Sequence, residues 1–125
     1  MSVTHGDPIH GEVSSADAHA GVKFTLYKAG SKDAYTPLST EYVTITDIVL
    51  VATAGGAYEI VGALSTASSA VDAAGLRVVK GTADALGGLV LRFDTPRTLP
   101  VDYVPFLIAT AGQVDCIITG YISQG

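Results

Sequence analysis

Apolar and polar positions alternate from Gly21 onward. Val22, Phe24 and Leu26 fall on one side of residues 22–28 and Lys23 and Thr25 on the other, a period of two that predicts a half-buried strand. Residues 29–33, AGSKD, break the pattern as a turn. Residues 41–46 alternate again, with Val43 and Ile45 opposed to Tyr42 and Thr44. After Asp47 comes the continuous apolar run Ile48-Val49-Leu50-Val51, the pattern of a strand covered on both faces. Ala54-Gly55-Gly56 reads as a hairpin connection into residues 57–61. Further strands are predicted over 76–80, 89–93, 106–109 and 114–122. Residues 63–74, ALSTASSAVDAA, permit either a short helix or a loop with one helical turn, ended by Gly75.

About eight short antiparallel strands, with turn signals every 8–12 residues or so, predict an all-β protein: a single-domain, jelly-roll-like β-sandwich over residues 21–125. Residues 1–20 read differently. They hold all three histidines and no aromatic residue, and Gly6, Pro8 and Gly11 interrupt any regular pattern. Val3, Ile9 and Val13 are too few apolar side chains to offset the entropy of ordering such a segment. It is expected to be an extended N-terminal arm that orders only on another surface.

Composition sharpens this picture. The 125 residues are 48% hydrophobic but only 15% charged, against roughly 25% charged in an average soluble domain. That excludes a disordered chain. With 7 basic and 12 acidic residues the net charge is -5, which argues against a protein built to neutralise phosphates, so no nucleic-acid partner is expected. Low charge implies either a generous core or a surface covered by a partner, and we favour the partner. The longest apolar run, residues 48–52, is far too short to span a membrane, and residues 1–20 hold no Lys or Arg and no apolar stretch of signal-peptide type. A soluble protein of a reducing compartment is expected, with the single Cys116 as a small buried hydrophobe.

Catalytic constellations are missing from the body. No histidine follows His19, which removes paired-histidine metal centres and Ser-His-Asp or Cys-His arrangements unless the arm supplies the base. His5, Asp7 and His10 lie in a Gly/Pro segment with no fixed geometry for a metal. The acids are scattered singly: Asp33, Asp72, Asp84 and Asp102 read as turn formers and Glu59 as a solvent-facing strand residue. Neither Gly55-Gly56 nor Gly87-Gly88 is followed by a phosphate-loop Lys. The six tyrosines suit either a sugar-stacking platform or anchors at edges and subunit contacts. No enzyme activity and no cofactor are expected.

One ordering stands out. Thr44-Ile45-Thr46-Asp47-Ile48 leads to a Gly-Gly turn; later come Gly87-Gly88-Leu89-Val90-Leu91-Arg92-Phe93 and the segment from Thr95-Pro96 to Pro105. The chain closes with Ala111-Gly112-Gln113-Val114 and Gly120-Tyr121-Ile122. This order resembles the small jelly-roll capsid decoration, or cement, proteins of tailed bacteriophages, over residues 21–125. The resemblance implies a non-enzymatic virion protein made in the bacterial host cytoplasm. It implies a homotrimer on the outer surface of the head, bridging major capsid protein subunits, with no nucleic-acid or membrane partner. The arm is then expected to grip the capsid or a neighbouring copy by strand addition, with Val3, His5, Ile9, His10 and Val13 as contact side chains. A tail-fibre tip, or another carbohydrate- or receptor-binding sandwich, is the alternative. Trimer and dimer remain equally open here, because strand faces that feed a core look like faces that feed an interface.

Overall fold

A computed structural model describes residues 6–15, 21–52, 56–67, 76–83, 88–109 and 114–124, with Ser15, Thr82, Ala83 and Leu89 described by backbone alone. The strands are β1 (Asp7–Ser15), β2 (Val22–Lys23), β3 (Thr25–Lys28), β4 (Glu41–Ala52), β5 (Gly56–Leu64), β6 (Leu76–Ala83), β7 (Gly88–Thr98), β8 (Tyr103–Ala109) and β9 (Val114–Gln124). They form a five-stranded sheet in the order β3-β1-β9-β4-β7 and a four-stranded sheet in the order β2-β8-β5-β6. Every pairing is antiparallel. The fold is the jelly-roll-like β-sandwich that the alternation predicts, with no helix among the described residues.

The N-terminal segment departs from expectation. Residues 7–15 are not an arm: β1 is an inner strand, paired along its whole length with β9 and, from Ile9 to Glu12, with β3. Ile9 and Val13 belong to the core. The alternation was present but disguised, because the inward position between them is Gly11. A Cβ there would stand 2.6 Å from the Leu26 side chain and 3.0 Å from Ile118, so neighbouring side chains fill the space that Gly11 leaves. The core of this strand is therefore partly contributed by its partners, which no count of its own apolar residues reveals. Val3 and His5 lie outside the described residues.

The two runs at 41–46 and 48–51 are one strand. β4 runs through twelve residues, with its register shifted against both neighbours between Ile45 and Asp47. The extra residue, Thr46, switches which parity faces inward: Val43 and Ile45 are buried before it, Ile48, Leu50 and Ala52 after it. Opposite the bulge sits Gly120, whose added Cβ would collide with the Thr44 carbonyl oxygen. The run 48–51 is consequently covered on one face only, since Val49 and Val51 are exposed.

The strand covered on both faces is β5. Tyr58 and Ile60 join the main core between the sheets. Val61 and Ala63 point the other way, into a second apolar cluster with Val104, Phe106 and Ile108, against which Ala67 packs. Glu59, expected in solvent, is 7% exposed and accepts from Arg77 Nε at 2.6 Å. A buried carboxylate is tolerated there because the guanidinium neutralises it. Gly56 does not open a hairpin either, because β4 and β5 lie in different sheets. Among the described strands only β5 and β6 are both consecutive and paired, so most short connections cross the sandwich.

Two tests follow from this packing. Ile9→Ala should lower the unfolding free energy by about 2–5 kcal/mol in a denaturant titration, as for a core truncation; a change within about 0.5 kcal/mol would fit a solvated arm instead. Burial also pushes the Cys116 thiol up from 9.0 to about 12. The folded chain thus keeps a proton that the unfolded chain releases, so stability is intact below pH 9 and declines as pH rises towards 12. Between pH 8 and 10, Cys116→Ala should lose less stability than the parent, and equal losses would show that the thiol takes no part.

Candidate functional site

The outward side of the five-stranded sheet is set by alternation from the inward residues. Register places Glu12 beside Ile117, Ile117 beside Val49, and Val49 beside Val90, one row across four strands. The next row holds Ser14, Asp115 and Val51. Val49, Val51 and Ile117 are each more than two-fifths exposed, and Val90 is 69% exposed. Side chains directly opposite on adjacent strands lie about 4.5–5.5 Å apart at Cβ, so these four make one patch. It exists because the Thr46 bulge turns Val49 and Val51 outward and keeps Ile48 and Leu50 inside.

Polar contacts hold the adjoining row. Thr119 donates to Asp47 Oδ2 at 3.1 Å, Arg92 Nε reaches Asp47 Oδ1 at 3.3 Å, and Thr46 donates to the Thr119 carbonyl at 3.1 Å. At the other side of the face His10 stacks on Tyr27, centroids 5.1 Å apart. The strand pairing itself, His10 against Tyr27, produces that contact. Of the residues expected on an arm, His10 is thus a partly covered face residue, while Ile9 and Val13 point into the core. Asp7 pairs with Lys28 at 3.4 Å. Among the described residues no group of three or more His, Cys, Asp or Glu side chains is placed to hold a metal.

The other exposed large aliphatics among the described residues sit elsewhere. Leu38, Leu64, Leu76 and Val101 lie in loops and strand ends at one end of the sandwich. That end is firmly built. Glu41 is buried, and its carboxylate accepts from Tyr35 Oη at 2.5 Å, the Leu38 amide at 2.7 Å and Gln124 Nε2 at 3.2 Å. Burial, and then the Glu41 carboxylate, push the Tyr35 phenol up to about 12. The Glu41 carbonyl accepts from the Asp102 amide at 3.4 Å. Asp102 has φ of 66°, and its carboxylate takes the Ser65 hydroxyl at 2.6 Å while its carbonyl takes the Ser65 amide at 2.8 Å. A left-handed Asp locked in this way fixes the turn that presents Val101. Its reading as a turn former holds; Asp72 and Asp84 lie outside the described residues.

Sequence reasoning missed both aliphatic sets. The face depends on a parity switch, and the end on loops brought together from four parts of the chain. An alternation count restarted after Asp47 would have placed Val49 and Val51 opposite Ile48 and Leu50, the one signal available.

No family model matches the chain, and no curated protein matches it. Among solved structures it is similar to that described as "Structure of Eiger TNF from S. frugiperda", at 9% sequence identity. The similarity covers 96% of this chain and 94% of that one with a TM-score of 0.50, so what the two share is the β-sandwich fold.

Proposed function

We propose that this protein is a structural subunit that works by adhesion and geometry: a homotrimer that coats the outside of a phage head and holds neighbouring major-capsid subunits together. One observation carries the reading. Among the described residues, the large aliphatic side chains left in solvent fall into two separate places, four on the outward sheet face and four at one end of the sandwich. A subunit that must hold both its own copies and a larger shell needs two such surfaces, whereas an enzyme needs a cleft with converging polar groups.

In this reading the sheet face meets other copies and the end bearing Leu64 and Val101 meets the shell. The grip assigned by sequence to residues 1–20 passes to that end, because β1 is committed to the protein's own core. Several weak end contacts on one trimer add up by avidity, each later contact being effectively intramolecular. The acidic, low-charge composition suits a protein partner and not a phosphate backbone. The place of action is the virion exterior, reached after synthesis in the host cytoplasm.

The test has two arms. Light scattering should give the mass of three chains, and the protein should sediment with undecorated phage heads. Val101→Asp should leave the trimer mass intact and reduce co-sedimentation by tenfold or more. A monomer in solution, or a trimer that stays in the supernatant with heads while binding host cells, would overturn the capsid reading, the second result in favour of a fibre-tip role.

A further inference from the structure

The chain changes sheets between β2 and β3, and a cavity opens beside the crossing. Phe24 sits at the crossing itself, where its amide donates to the Pro105 carbonyl at 3.1 Å. Beyond the turn at 29–33 the chain returns alongside β3: Ala34 bridges to Tyr27, and the Tyr35 amide donates to the Leu26 carbonyl at 2.7 Å. Between this returning segment, the crossing and the start of β8 lies a cavity of about 170 Å³. Its lining is mostly apolar, with Phe24, Leu26, Pro37 and Val104 all buried. Among the described residues, Lys23, Thr36 and Ser65 add polar groups to it.

The cation is held in place and has donors to spare. Lys23 Nζ donates to the Ser65 carbonyl at 2.6 Å and stands 5.7 Å from the centroid of the Phe106 ring. An ammonium carries three N–H donors, so others remain for a further acceptor. Among the described residues the ion pairs are Lys28 with Asp7, Arg77 with Glu59 and Arg92 with Asp47, and no carboxylate meets Lys23. The walls are fixed as well. Tyr35 Oη donates to Glu41 at 2.5 Å, and the Ser65 amide and hydroxyl both donate to Asp102. Those two acids hold the walls from behind, and neither lines the cavity.

We infer that this cavity binds a small carboxylic acid bearing a benzene-sized apolar group, the group against Phe24, Leu26 and Val104 and the carboxylate on Lys23 Nζ. Volume sets the size. An apolar cavity of about 150 Å³ accepts benzene, so a six-membered ring or a short branched chain fills this one. Drug-sized ligands, whose pockets start at about 300 Å³, are too large. Charge sets the head group, because a hydrogen bond between two ionised groups is roughly twice as strong as a neutral one. One cation balances one negative charge. A phosphate ester, with a charge closer to two, would keep part of it unmatched beside apolar side chains. The site does not depend on the assembly proposed above, and no catalysis is attached to it.

Benzoate is the probe, added to the full chain in an amide NMR titration. It should shift the Leu26, Ala34 and Thr36 amides saturably. Acetate, which lacks the ring, and benzyl alcohol, which lacks the charge, should each bind more weakly by about tenfold or more. Lys23→Met keeps the apolar stem at an exposed position, so it should retain the unfolding midpoint and bring benzoate down to the level of benzyl alcohol. Lys23→Gln, which retains an N–H donor for the Ser65 carbonyl, should lose benzoate to the same extent and so separate the charge from the tether. Absence of saturable shifts at these amides, benzoate affinity unchanged in the two variants, or acetate binding as tightly as benzoate would each overturn the inference.

Discussion

The sandwich depends on one long strand keeping its apolar side turned inward along its whole length. β4 spans twelve residues beside both β9 and β7, and no single alternation runs through its sequence. The extra residue at Thr46 reconciles the two halves, and Gly120 leaves the backbone room for it. Val43 and Ile45 then share a core with Ile48 and Leu50. The same switch sends Asp47 and Val49 outward, where one anchors a Thr119–Arg92 polar row and the other centres an aliphatic patch. Core and candidate interface are two consequences of one bulge.

A second constraint is closure of the sheet by β1. Lying between β3 and β9, this strand turns what would be two exposed edges into interior ladders and covers the core from Ile9 to Val13. Its small apolar content is sufficient because Leu26 and Ile118 fill the volume that Gly11 vacates. The four-stranded sheet is protected differently: a second apolar cluster on its outward side is already buried within the chain. Among the described residues that leaves the five-stranded face as the broad surface with aliphatic side chains in solvent, and a small end, tied together by Glu41, Ser65 and Asp102, as the other.

Among the described residues the exposed large aliphatic side chains gather on one sheet face and at one end of the sandwich. On the outward face the aliphatic patch adjoins an ion-paired row, in which Arg92 meets Asp47 and Thr119 donates to the same carboxylate. The end with Leu64 and Val101 is held together by the hydrogen bonds to Glu41 and Asp102.

The sequence by itself determined the class of fold and much of its inventory: period-two alternation in residues 22–28, 41–46 and 114–122, turn residues between them, a buried Cys116, and a body without histidine. These are local properties, carried by neighbouring side chains on one strand. Tertiary structure alone decided which sheet each strand joins, since the glycines before residue 57 interrupt the apolar pattern and are silent about the sheet that β5 enters. It alone placed β1 inside, because Gly11 is complementary to side chains fifteen and more than a hundred residues away, and it alone showed Glu59 neutralised by Arg77 in place of water. The exposed aliphatic face was likewise beyond local reading: a valine that faces a core and one that faces a partner obey the same alternation, and only the packed neighbours of each distinguish them.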